Sequence, residues 1–265
     1  MCNFGYNPMI GFWDQTNMFK NRNFTTLMLI ALVGSTFFIL VGLSSAYGVG
    51  FYAKNEEPFG VPKDVWMSKW WTWWVTPTID EATPKADGCL IHNMSSIVVL
   101  MDTIASGRPH QVCEISSAQG IMIPLWTAFF EDSAPEYNSY TYEQLSKAAR
   151  EVGDLGAITS LVKVDGKPVA KLDVVSSMRG GSLDYKINSM DNVTEIYSKG
   201  FNITIPEDTH FPDQNTGTWR SGAHGWFVFM KPLPPGDHTV NYNVGVTGTG
   251  PNDHSSEITY DLKVK

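Results

Sequence analysis

The chain has 265 residues, 12% of them aromatic and only 17% charged, with a formal net charge of −8 at pH 7. Beyond position 47 the remaining 218 residues carry 17 basic and 26 acidic side chains. Such an acidic surplus argues against nucleic acid or an anionic lipid surface as partner, since both demand a basic footprint.

Taken in chain order, the first feature is an uncharged run of twenty residues, Leu27–Ala46, preceded by Lys20 and Arg22. About twenty apolar residues in a helix match the hydrocarbon thickness of a bilayer. The flanking basic pair predicts an inward-facing N-terminus. The expected organisation is therefore an inner segment at 1–26, a membrane helix at 27–47, a stalk at 48–61 and an extracytoplasmic domain at 62–265. A cleaved signal peptide is the competing reading, with Ser44-Ser45-Ala46 as a small-residue cleavage site. The run is long for a signal h-region, and 26 aromatic-rich residues precede it, so the anchor is preferred. Either reading exports the bulk of the chain.

Next, five of the nine tryptophans fall within Trp66–Trp74. At about 100° per residue, Trp66, Trp70, Trp71, Trp73 and Trp74 occupy one broad arc, with Asp64, Ser68 and Thr72 opposite. Pro62 suits a first helical turn and Thr76-Pro77 ends it. A helix with an indole face can lie against a sheet as core, meet a membrane or partner, or offer a ligand-stacking platform. Core is the preferred reading, because five exposed indoles would make an apolar patch of several hundred Å². On the arc, Trp71 is the indole expected to be most exposed.

Strands are expected at Ser96–Thr103, Gln111–Ile115 and Ile121–Phe130. A second helix follows at Tyr142–Val152, opened by the capping-box pair Thr141 and Gln144 and stopped by Gly153. Leu161–Leu172 reads as a hairpin about Asp165-Gly166. Further strands are expected at Leu183–Ile187, Phe201–Ile205, Gly225–Met230, His238–Val246 and from Ile258 to Val264, the last with strict alternation. The expected fold is mainly β: an antiparallel β-sandwich of eight or nine strands carrying the tryptophan helix.

Cys89 and Cys113 both lie on the exported side, where disulfides persist, and are expected to pair; Cys2 is expected to be a reduced thiol inside. A closed loop of this length removes unfolded-chain entropy worth roughly 3 kcal/mol. The spacing matches no zinc pattern. Sequons occur at Asn23, Asn93, Asn192 and Asn202, the last three on the side where glycosylation could occur.

The segment Trp66-x-x-x-Trp70-Trp71-x-Trp73, a Cys about fifteen residues on, a strand and a second Cys resembles the opening of a family of exported prokaryotic proteins of unknown function. The stretch Gly225–His238, a Gly-aromatic strand running into a Pro-Leu-x-x-Gly-x-His turn, is similar to that family again. The resemblance spans roughly Val65–Val264 and implies a disulfide-bonded extracytoplasmic domain, with no activity attached. The anchor and the long N-terminal segment depart from the family's pattern.

Catalytic motifs are missing: no G-x-S-x-G, H-E-x-x-H, P-loop or G-x-G-x-x-G occurs. Glu207, Asp208, His210 and Asp213 could gather around Ca²⁺ or a transition ion, against the plainer reading of a solvated loop. None of His92, His110, His210, His224, His238 or His254 shows ligand spacing. His224 and His238, at strand starts, read as structural hydrogen-bonding residues. No metal or other cofactor is expected. The expected function is a membrane-anchored, non-enzymatic binding or structural domain of the envelope, single-pass with its N-terminus inside and with a protein partner. The alternative is an accessory subunit of an integral-membrane complex, for which the aromatic residues Phe4, Tyr6, Phe12, Trp13 and Phe19 speak. A cell-surface hydrolase is the third reading.

Overall fold

The computed structural model describes residues 48–76, 89, 91–101, 109–153, 156–179, 182–209, 215–247 and 253–265. The apolar run Leu27–Ala46, Cys2, Asn23, His210 and Asp213 lie outside the described residues. Among the described residues no helix is long and apolar enough to cross a membrane.

Among the described residues twelve strands form two sheets. The first holds β1 (Ile91–Asn93), β2 (Ile97–Leu100), β4 (Gly120–Glu131), β10 (Gly217–Met230) and β8 (Val193–Tyr197) in that order, with β9 (Phe201–Ile205) also on β10. The second runs β3 (His110–Ile115), β12 (His254–Val264), β11 (Gly236–Thr247), β5 (Ala157–Val164), β6 (Lys167–Arg179) and β7 (Ser182–Ser189). Among the described residues the α-helices are α1 (Lys63–Trp74) and α2 (Tyr142–Gly153).

The sheets face one another across a core that mixes Val98, Ile121, Ile123 and Val228 of the first with Val162, Leu172, Tyr242 and Tyr260 of the second. A second apolar cluster joins Trp66, Met67, Trp70 and Trp71 of α1 to Ile97, Val99, Met122, Phe227 and Phe229. Because α1 covers its other face, the first sheet is buried on both sides. Its strands accordingly read as unbroken apolar runs, such as Ile97–Leu100. The second sheet has one wet face, and β3 and β5 alternate.

The expectation of a purely antiparallel sandwich is corrected at two pairs. β2 runs parallel to β4, and β3 parallel to β12. The cause is a crossover: the chain leaves β2 for β3 in the opposite sheet and returns to the first as β4, so it re-enters in the same direction. Tyr260 and Tyr242 close this junction from the second sheet, donating from their hydroxyls to Met101 O (2.6 Å) and Leu100 O (3.2 Å). The end of β2 thereby keeps its carbonyls satisfied inside the core.

β1 and β8 were not expected, and β10 begins eight residues before the predicted Gly225. The stretch Gly217–His224 reads as turn-like because of its glycines and serine. Packing explains Gly222 of that stretch and Gly225 just beyond it. A Cβ on Gly222 would lie 2.2 Å from the Ser146 backbone nitrogen, and one on Gly225 would lie 2.6 Å from Thr127 Cβ. Both are places where a neighbour approaches the strand too closely for any other residue. The Asp165-Gly166 hairpin is present, with both residues at positive φ (50° and 75°), as a tight two-residue loop requires.

Segment 48–61, expected as a stalk, is instead part of the sandwich. Tyr52 N–H donates to Phe229 O, Lys231 N–H to Gly50 O, and Phe51 bridges to Met230. The Lys63 ammonium clamps the same segment, donating to Ala53 O (2.5 Å), Lys54 O (3.3 Å), Tyr52 O (3.4 Å) and Thr194 Oγ1 (3.3 Å).

Candidate functional site

The tryptophan helix does what the core reading asked of it, with one rotation. Trp66, Trp70 and Trp71 are buried at 3%, 4% and 6% exposure, while Trp73 and Trp74 are half-buried. The expectation that Trp71 is the exposed indole is therefore corrected. Met67 and Val75, both 0% exposed, extend the buried arc toward the Trp71 side and leave Trp73 at its margin. Trp71 donates from Nε1 to Thr127 Oγ1 (3.0 Å) and packs on Phe129 with ring centroids 4.6 Å apart. Trp70 donates to Met101 Sδ and Trp66 to Pro58 O, so the three buried indoles of α1 each have an acceptor for their N–H.

At the margin, Trp73 lies flat on His92, with centroids 3.9 Å apart and planes 9° from parallel. Burial pushes the His92 imidazole down to about 4, so the stacked ring is neutral at pH 7. Beside it runs an open groove of about 660 Å³ between α1 and the β8–β9 turn, lined by Val65, Lys69, Thr72, Trp73, Lys199 and Phe201 among others. Its floor is apolar and two lysines flank it. Lys199 is held 4.0 Å from Asp64.

A polar cluster that sequence reading did not find sits where α2 packs on β4 and β10 of the first sheet. Glu195 Oε1 accepts from Tyr197 Oη (3.2 Å) and lies 3.3 Å from an Arg150 guanidinium nitrogen and 3.1 Å from His224 Nε2. The Arg150 guanidinium stacks on Tyr185 of the opposite sheet at 3.9 Å. Burial pushes the Glu195 carboxyl up, but the His224 contact and the Arg150 charge outweigh it and hold it below the ordinary carboxylate value. No spacing signal links Arg150, Glu195 and His224, which come from a helix and two strands. His224 is fully buried, while Arg150 carries the cluster from α2 to Tyr185 of the second sheet, so this arrangement joins α2 to both sheets. It is a structural role of the kind the sequence suggested for His224.

His238 is likewise held structurally, with Nδ1 2.9 Å from Asp165 Oδ2 and Nε2 3.0 Å from Pro234 O. His110 meets Asp261 at 2.8 Å on the surface. These histidines stand apart, and among the described residues no group of three or more His, Cys, Asp or Glu is placed to hold a metal ion. Of the acidic loop, Glu207 and Asp208 are exposed; His210 and Asp213 fall outside the described residues.

Cys89 and Cys113 are bonded, with Cα atoms 5.3 Å apart. The bridge ties the segment before β1 to β3 of the opposite sheet, and Cys113 is buried in the core. The sequons fall at the end of β1 (Asn93), before β8 (Asn192) and within β9 (Asn202). No protein family, curated protein or solved structure matches the chain.

Proposed function

We propose that this chain is a membrane-tethered, extracytoplasmic domain that binds or braces another component of the cell envelope and performs no chemistry itself. The observation that carries this reading is the Cys89–Cys113 disulfide, built into the core and linking the two sheets. Such bonds persist in oxidising compartments and are rare in reducing ones. The uncharged run Leu27–Ala46 supplies the tether, and the resemblance to exported proteins accords with it. The binding surface is the apolar groove along α1, whose flanking lysines favour a partner with acidic or hydroxyl-rich edges.

A second reading, as an accessory subunit of an integral-membrane assembly, gains from one further observation. The sandwich captures the chain by Gly50, through its bond from Lys231, leaving only residues 47–49 beyond the apolar run. Alkylation of intact cells with a membrane-impermeant thiol reagent, before and after reduction, tests the main reading. Two newly reactive cysteines after reduction support it. Three thiols free without reduction, or none reachable from outside, would overturn it. Native mass measurement after gentle detergent extraction separates a lone domain from a subunit.

A further inference from the structure

The three exported sequons are equivalent as sequence but not as structure. Asn192 is closed. Its Nδ2 donates to Val169 O at 2.8 Å, and because a carbonyl can only accept, this fixes which side-chain atom is nitrogen. The hydroxyl of the same sequon, Thr194, is buried and takes the Lys63 ammonium. Asn202 is exposed but lies mid-strand in β9, beside the Tyr142 hydroxyl at 3.1 Å, with Thr204 tied to Thr218 at 3.0 Å. Its extended backbone holds the amide and the Thr204 hydroxyl on a regular sheet surface.

Asn93 differs from both. It is exposed, at the last position of the short edge strand β1, and its side-chain oxygen accepts from Ser95 N–H (3.0 Å) and Gln119 Nε2 (2.9 Å). The Ser95 amide can only donate, so the atom it meets is Oδ1 and the Asn93 amide nitrogen points away from both bonds. No described residue bonds that nitrogen. This is an Asx-turn, with Ser95 at φ 66°. Two donors on the amide oxygen draw the carbonyl into the turn and leave nitrogen and the exposed Ser95 side chain on the outside.

We infer that Asn93 is the N-glycosylation site of this protein, and that Asn192 is not one. The inference rests on the extracytoplasmic reading above. The co-reactant is an oligosaccharide joined through its anomeric carbon to a polyprenyl phosphate or diphosphate. The Asn93 Nδ2 attacks that carbon and forms the N–C bond. The bond from the anomeric carbon to phosphate oxygen breaks, the polyprenyl phosphate or diphosphate leaves with the electron pair, and Nδ2 releases one proton to a base of the transferase. A glycan there would stand at the outer edge of β1, which closes one side of the first sheet. It would block that edge from pairing with another chain.

The test is glycopeptide mass spectrometry on the full-length protein purified from its own membranes, together with the N93Q, S95A and N192Q variants. A saccharide increment on the peptide holding Asn93, lost entirely in both N93Q and S95A and kept in N192Q, is the expected result. S95A removes the sequon while leaving Asn93 in place, so it guards against a folding defect in N93Q. An unmodified Asn93, or occupancy at Asn192, overturns the inference. Impermeant labelling and the state of Cys89–Cys113 are read on the same sample. A bare Asn93 on a labelled, disulfide-bonded protein leaves the exported reading intact, whereas an unlabelled protein with free thiols removes both.

Discussion

The two described α-helices have the same length and opposite origins. α2 is written locally. Thr141 and Gln144 close both bonds of a capping box, Gln144 Oε1 accepting from Thr141 N–H (2.7 Å) and Thr141 Oγ1 from Gln144 N–H (3.2 Å). Glu143 sits in its first turn and Arg150 in its last, as the helix dipole favours. α1 shares only an acidic residue in its first turn, Asp64; it has no capping box and no basic residue in its last turn. Pro62 stands at its N-cap with no side-chain bond, and its sequence is dominated by Trp, a middling helix former. Its exposed face returns hydroxyls to its own backbone, Ser68 to Asp64 O, Thr72 to Ser68 O and Thr76 to Thr72 O, a pattern that weakens helices slightly. α1 is a helix because the first sheet holds it: Lys63 and Trp66 bind the preceding segment, and Thr209 caps Val75 O. A helix read from capping residues can be trusted to its ends. One read from an aromatic stripe depends on what the stripe meets.

The largest expected effect follows from that dependence. Trp70→Ala and Trp71→Ala should each lower stability by about 3–5 kcal/mol in denaturant titration of the full-length protein. Trp73→Ala, at the half-buried margin, should cost clearly less. Equal losses at all three positions would mean that the margin is as well packed as the centre. A loss confined to α2 would break the comparison outright.

Next in size is the disulfide. Cys113→Ser should remove roughly 3 kcal/mol, since the closed loop no longer restrains the unfolded chain. The bond anchors the segment leading to β1, whose His92 stacks beneath Trp73. Hydrogen exchange in this variant should therefore quicken across β1 and α1 while the amides of α2 keep their protection.

Acid should show the same asymmetry. The folded His92 titrates at about 4 against an ordinary 6.5. Between those values the unfolded chain binds a proton that the folded one refuses, so stability is complete above pH 6.5 and declines as pH falls toward 4. Glu195 has the other sign of charge but the same direction of loss. Its carboxyl, held below the ordinary 4.5, contributes stability that disappears only as pH drops beneath that value. The slope between pH 6.5 and 4.5 is thus assigned to His92, and His92→Phe should flatten it while preserving the stacking. An unchanged slope in that variant would transfer the effect elsewhere.

What was legible in the sequence follows the range of the interactions that decide it. The hairpin at Asp165-Gly166, α2 and the alternating C-terminal strand are settled within a few residues, and they were read. The pairing of Cys89 with Cys113 follows from compartment and from strands placed to bring the two positions together. The parallel pairs β2–β4 and β3–β12 depend on a crossover between sheets, and the Arg150–Glu195–His224 cluster on three separate elements meeting. Neither leaves a local trace. The placing of Trp71 failed for a subtler reason. The indoles alone define one arc, whereas Met67 and Val75 are buried just as deeply and move its centre.

The smallest expected effect is the one that best tests whether α2 stands on its own code. Thr141→Ala removes the acceptor of the Gln144 amide and breaks half of the capping box, which typically costs about 1 kcal/mol. Thr141→Ser keeps the hydroxyl and should restore nearly all of it. The α1 counterpart is Pro62→Ser, which supplies a capping side chain where none exists. If α1 is held by the sheet, that gain should remain within a few tenths of a kcal/mol, because tertiary contacts already fix its first turn. Peptides carry the contrast further. One spanning 139–154 should show measurable helix by circular dichroism at low temperature, increased further by trifluoroethanol, and should lose it with Thr141→Ala. One spanning 61–76 should stay disordered until the sheet is supplied. Helix in the second peptide and not in the first would reverse the assignment of which of the two is locally encoded.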